Sequence, residues 1–324
     1  MQEASRAHSP KAIAVAPYAA EVPLRILLTI IGLALWIVIV VSIVGLVYGV
    51  ILGLFFFFAH LILIAHVRGS SIKLGPQQMP GLYNRVVDIA QRIGMKRVPD
   101  VYLQQSGGVL NAFATRLGRR RFVVLFSDLV KACGENLDAL DFIIAHELGH
   151  IHRGHLNWRW LYWPALFIPF LGTAYSRACE YTCDRYGFQA PSDPRRSLDG
   201  LCILAAGPQF VPFVNKQAFV AQRDDLNTAF MKLASWFSTH PPLARRVAAL
   251  SPDLGPQARS NFVATFVALL MALVLVVVPI AGGIYIFGKA IEDARNKIAA
   301  QVGGAYYEES PCSPGEPCSG TIRQ

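Results

Sequence analysis

His146-Glu147-Leu148-Gly149-His150 is the stretch from which the rest of the chain is read. Around it Leu140, Ile143, Ile144, Leu148 and Ile151 recur at helical spacing. Asn136 stands where an N-cap belongs, and Asp138 and Asp141 suit the first turns. The string is therefore expected inside a buried helix. Its two histidines, four residues apart, lie about 40° apart around the axis and can reach one metal from the same face. Glu147 projects beside that metal, where a carboxylate can take a proton from water. The expected chemistry is metal-assisted hydrolysis.

Zinc hydrolases usually present three protein ligands and leave a fourth position open. The following His152-Arg153-Gly154-His155-Leu156 does not supply the third by the longer metzincin pattern, because Arg153 and Leu156 stand where Gly and His are needed. On a continuing helix His152 and His155 point away from the pair. They read as polar residues near a helix C-terminus, where imidazolium suits the dipole. Further on, Arg177, Glu180 and Asp184 fall on one helical face. Glu180 would complete a His-His-Glu site, and Asp184 could accept the second ring N–H of a ligand histidine. The competing reading is a surface ion-pair ladder with Arg177. The His-His-Glu donor set favours Zn2+, one ion per chain.

Three runs, Val98 to Gln105, Asn111 to Leu117 and Arg121 to Leu129, are rich in β-formers and separated by Gly107-Gly108 and Gly118-Arg119-Arg120. They predict a small antiparallel sheet ahead of the helix.

Four motifs in order, Asn111-Ala112-Phe113-Ala114, the H-E-x-x-H string, Glu180-x-x-x-Asp184 and Thr239-His240-Pro241-Pro242-Leu243-Ala244-Arg245-Arg246, cover about residues 80 to 250. In these the chain resembles the membrane-bound gluzincin peptidases of the HtpX and CAAX prenyl protease type. The resemblance implies that His146, His150 and Glu180 bind zinc and that Glu147 is the general base. It puts His240 near the oxyanion, Asp184 and Arg177 in support of the ligands, and Arg245 as a brace of the His240 region. It also implies that Asn111, Ala112, Phe113 and Ala114 form an edge strand binding an extended peptide through its main chain. Cys183 stands where the family commonly has alanine. The implied substrates are membrane or misfolded proteins, as in protein quality control. Two other readings are a prenyl-CAAX-type endopeptidase, which needs a large intramembrane chamber, and a non-catalytic zinc-binding scaffold or sensor. Glu147 argues against the scaffold, since a structural site has no use for a base.

The chain is 53% hydrophobic, with a formal charge of +9. Residues 24–67 carry Arg25 as their one fixed charge and are about twice as long as the ~20 residues a single crossing needs. They are read as a transmembrane hairpin turning near Gly45, Tyr48 and Gly49. A third span runs from Phe262 to Phe287, with Pro279, Gly282 and Gly283 inside it. The aromatic stretch 158–175 cannot cross, because Glu180 would then be separated from the two histidines by the bilayer. It is expected to dip in and return or to lie at the interface, with Trp158, Trp160, Tyr162 and Trp163 as an aromatic belt.

The expected fold is α+β and mostly helical, an integral membrane protein with a zincin-like catalytic domain and about three transmembrane helices. Its parts are a tail to residue 23, the hairpin 24–67, the metallopeptidase domain 68–258, the third span 259–288 and a tail 289–324. Basic residues clustered in 68–121 and again at Arg245, Arg246 and Arg259 place the catalytic part in the cytoplasm, with a bacterial inner membrane as the expected location. They also account for the net charge, and no nucleic-acid recognition module accompanies it. The partners implied are a protein or peptide substrate and the lipid bilayer. Cys312 and Cys318 would face the other side, where a disulfide could close, while Cys133, Cys179, Cys183 and Cys202 are read as reduced packing residues.

Overall fold

The computed structural model describes residues 12–255 and 261–304. The first compact unit, Met1–Ala268, opens with α1 (Glu21–Val41) and α2 (Ile43–Ser70). Both are long and apolar enough to cross a membrane. Their outward side chains, such as Ile37, Val41 and Phe55, have no protein cover and suit lipid. The turn between them falls at Ser42, earlier than the glycines expected to make it. Ser42 supplies both halves of the break: its N–H bonds the Val38 carbonyl, and its hydroxyl accepts from the Gly45 N–H. Gly45 and Gly49 instead allow close approach, since a Cβ on either would sit 3.0 Å from an atom of Ile39.

Beyond the hairpin come β1 (Ile72–Lys73), α3 (Pro80–Ile93), β2 (Asp100–Gln104), β3 (Ala112–Leu117) and β4 (Arg120–Phe126). The sheet order is β1-β2-β4-β3, with β3 at an edge. It is mixed rather than all antiparallel, because β4 runs parallel to β2 while pairing antiparallel with β3. The sequence signal for this lies in Phe122-Val123-Val124-Leu125, a continuous apolar run buried on both faces, as an interior strand beside a parallel partner requires.

Next come α4 (Ser127–Cys133) and α5 (Leu137–His152), the latter carrying H-E-x-x-H. Asn136 caps α5 by accepting from the Ala139 N–H. The helix is buried on nearly every side. A short turn α6 (Arg159–Tyr162) and a 3₁₀ turn (Trp163–Phe167) lead into α7 (Leu171–Gln189). This aromatic connection is neither long nor regular enough to span. It packs on α1, where a Cβ at Gly32 would lie 2.6 Å from the Tyr162 Cα. There Leu28 forms a buried apolar core with Tyr162, Ala165, Tyr175 and Cys179. Trp158 and Trp160 stay exposed.

Helices α5 and α7 lie side by side because Gly187 has no side chain: a Cβ there would come within 2.8 Å of the Phe142 carbonyl. Short helices α8 (Pro194–Ser197), α9 (Asp199–Ala206), α10 (Lys216–Ala221), α11 (Ala229–Phe237) and α12 (Leu243–Leu250) cover the rest of the core.

Residues ahead of α1, read above as tail, take part in the fold. Ile13 is buried, and Tyr18 donates its N–H to Thr182 and stacks on Tyr181. Helix α13 (Phe262–Gly304) is the third helix fit to cross a membrane. In the second unit, Leu269–Gln324, the described residues, which end at Gly304, continue that helix. It passes the expected end at Phe287 and continues through Lys289, Glu292, Asp293, Arg295 and Lys297, so charge ends the apolar stretch but not the helix. Cys312 and Cys318 lie outside the described residues.

Candidate metal centre

The side-by-side arrangement of α5 and α7 brings their polar faces together. His146 Nε2 and His150 Nε2 are 3.3 Å apart, and Glu180 places one carboxylate oxygen 3.5 Å from the first and the other 3.3 Å from the second. A tetrahedral ion with bonds of about 2.0–2.1 Å sets its donor atoms roughly 3.3–3.4 Å apart. The separation of the two histidine nitrogens has that size, and the Glu180 carboxylate lies across them with one oxygen near each. The arrangement is a hydrolase-type donor set, and it is closed on the protein side by three groups.

The surroundings explain how three such groups stay buried together. Asp184 is fully buried, with Oδ1 facing His146 Nδ1 at 3.0 Å, and Arg246 bonds both of its oxygens, the Nε contact at 2.8 Å. Arg246 also reaches Glu180 at 3.6 Å. Burial works against charge on His146, Glu180 and Asp184, but the mutual attraction wins. His146 is raised to about 10 by Asp184 and Glu180 despite its burial. Glu180, facing the two histidines, and Asp184, facing Arg246, are both held below the ordinary carboxylate range.

Arg246 therefore braces the cluster, a role that the sequence reading did not assign to it. Arg245 turns away to the Leu226 carbonyl. On a helix these neighbours are about 100° apart, so the choice rests on how α12 packs, a tertiary fact. Arg177 makes no ion pair with Glu180 or Asp184 among the described residues. It donates instead to the carbonyls of Trp236 and Ser238, which steadies the segment leading to His240. His240 Nε2 comes to 3.6 Å from Glu180 Oε1 with its side chain still 65% exposed.

His155 differs most from expectation. The helix does not continue past Arg153: Gly154 takes φ +73°, and the chain turns back so that the His155 N–H bonds the His150 carbonyl. His155 is thus buried, not polar surface, and its Nδ1 lies 3.1 Å from His150 Nδ1. Desolvation lowers its basicity, which favours neutral imidazole. The glycine just after the last turn was the available signal. His152 stays outside and packs on Tyr186.

A cavity of about 320 Å³ opens over the triangle, lined by His146, Glu147, His150, Glu180 and His240 on one side and by Ala112, Phe113 and Ala114 of the edge strand on the other. The Asn111 carbonyl accepts from Phe126, so by strand alternation Phe113 and Thr115 face β4, while Ala112, Ala114 and Arg116 turn their backbone groups outward. The Arg116 carbonyl is already taken by His60 of α2 at 2.8 Å, and the Ala112 N–H donates to its neighbour Asn111. The Ala112 C=O and the N–H and C=O of Ala114 remain along the open edge. Cys133, Cys179, Cys183 and Cys202 are buried and unbridged, and burial pushes the thiols of Cys133 and Cys179 up to about 12.

In comparison with known proteins, the sequence pattern of peptidase family M48 matches residues 76–163 and 161–253. A crystal structure of Ste24p from S. mikatae is similar at a TM-score of 0.39 and 17% identity, over 72% of this chain. The chain spans 63% of that protein's length. No curated protein matches.

Proposed function

The chain belongs to peptidase family M48, and from that premise we propose that it is a membrane-anchored zinc endopeptidase acting on membrane or misfolded proteins. The observation that carries this is the grouping of His146, His150 and Glu180, whose histidine nitrogens stand at the spacing zinc needs, with Glu147 beside it in a cavity whose far wall is an open strand edge. His146, His150 and Glu180 would hold the ion. When bound, zinc would acidify a water molecule and polarise a carbonyl.

The remaining work falls to the chain's own side chains. An extended peptide adds to β3 through the Ala112 C=O and the backbone of Ala114, which brings its next carbonyl over the cavity. The Glu147 carboxylate takes the proton of the attacking water and later delivers it to the leaving amine. His240, at the open rim, donates to the oxygen on which charge develops. Asp184 and Arg246 keep His146 and Glu180 turned inward. The three apolar helices make this an integral membrane protein. The basic residues of 68–121 favour the cytoplasmic side of a bacterial inner membrane for the cavity.

The test is cleavage of an unfolded model protein by the detergent-purified chain, run as prepared, after chelation, after zinc return, and as Glu147→Gln. Activity should need zinc, and Glu147→Gln should lose about 10²–10⁴-fold while keeping its metal. Equal cleavage by Glu147→Gln and wild type would remove the endopeptidase reading.

A further inference from the structure

One line of buried polar side chains is left over by the chemistry above, and it leads from His150 to the membrane hairpin. His150 turns Nε2 to the triangle and Nδ1 to His155 Nδ1, 3.1 Å away. The other nitrogen of His155, Nε2, is buried and makes no hydrogen bond among the described residues; its nearest polar neighbour is Glu21 Oε1, 3.3 Å away at ion-pair distance. Glu21 is the first residue of α1 and is fully buried. Arg153 donates to one of its oxygens and the Thr182 hydroxyl to the other. A carboxylate buried at 0% exposure at the head of a membrane helix demands such partners.

Valence then assigns the protons. An imidazole that offers its Nε2 lone pair to a metal keeps its hydrogen on Nδ1. Two nitrogens 3.1 Å apart need one hydrogen between them, so His150 Nδ1–H donates and His155 Nδ1 accepts. A neutral His155 must then carry its hydrogen on Nε2, which is the atom facing Glu21. Any other assignment sets two lone pairs or two N–H groups against each other.

Resting on the reading of His150 as a zinc ligand, we infer that His155 and Glu21 are positioning residues. They form a carboxylate–imidazole–imidazole chain that fixes the ring of His150, strengthens it as a donor, and ties the metal centre to the first turn of α1. Neither touches the reacting atoms. The geometry depends on the reversal at Gly154, without which His155 could not face His150.

The test is zinc affinity of the full-length, detergent-purified, metal-stripped protein, measured by competition with a zinc chelator of known affinity. Glu21→Ala and His155→Ala should each weaken zinc about 10–100-fold. The double variant should be no weaker than His155→Ala, because Glu21 acts through His155. His155→Gln, which accepts at Oε1 and donates from Nε2, should recover most of the loss, whereas His155→Phe, which fills the space without either nitrogen, should not. The thermal midpoint of each metal-free variant separates a packing defect from a positioning one, and if the alanine variants do not fold, the Gln and Phe pair decides. Equal zinc affinity of the Gln and Phe variants, or a double variant whose loss is the sum of the single losses, overturns the inference and leaves the metal centre standing. A wild-type protein that binds no zinc overturns the metal centre itself.

Discussion

On one side of the cavity, α5 and α7 hold His146, His150 and Glu180 in a buried network closed by Asp184 and Arg246. On the other side His240 sits on a segment suspended from α7 by the bonds of Arg177 and Thr173 to the carbonyls of Trp236 and Ser238, with most of its side chain in the open. The first wall is costly to assemble and stays fixed, since buried charge is tolerated only where every member is paired. The second is lightly held, as would suit the donor to a substrate oxygen proposed above. Substitutions in the first wall should therefore register in folding and metal together, and substitutions in the second in turnover alone.

Arg246→Met should break the contrast most severely. It leaves Asp184 buried without its cation, and about 3–5 kcal/mol of stability should be lost in denaturation of the metal-free protein, with weaker zinc binding besides. If that variant were as stable as wild type, the network would not be what holds this wall. His240→Ala comes next, with kcat/KM expected to fall about 10²–10³-fold while zinc content and thermal midpoint stay where they were. A loss of metal in His240→Ala would erase the distinction between the walls. Gly187→Ala pushes α7 off Phe142 and should cost roughly 1–3 kcal/mol, read by chemical denaturation, with zinc affinity reduced in step. Thr173→Val is the mildest case. It removes one hydrogen bond to Trp236, worth about 0.5–1.5 kcal/mol, and should slow cleavage slightly without altering metal uptake.

The same contrast governs what could be read in the sequence. Helix α5 announced itself by its cap, its apolar period and its histidine spacing, all of which are local. The pairing with α7 was legible through chemistry, since a zinc site lacking a third ligand pointed to Glu180. The part Arg246 plays was missed because only packing decides which of two adjacent arginines turns toward Asp184. The parallel β2–β4 pair was missed because hairpin signals show which strands are neighbours in sequence and not which strand is inserted between them. Glu21 could not be found by any local rule. A lone carboxylate at the edge of an apolar run looks like a boundary marker until the reversal at Gly154 brings His155 to it.

The bond from His60 to the Arg116 carbonyl has a consequence for scale. Helix α2 has 28 residues, about 42 Å at 1.5 Å per residue, against a hydrocarbon layer of about 30 Å. Its final turns, beyond the length an upright crossing needs, carry Ile64 and Val67, which pack beneath Tyr102, Phe122 and Val124 of the sheet. The β3 edge proposed to take the peptide would then stand at a set height above the bilayer. Under the proposed function, a substrate anchored in the same membrane would be cut where its chain has climbed that height, so α2 would act as a ruler that selects by distance from the lipid.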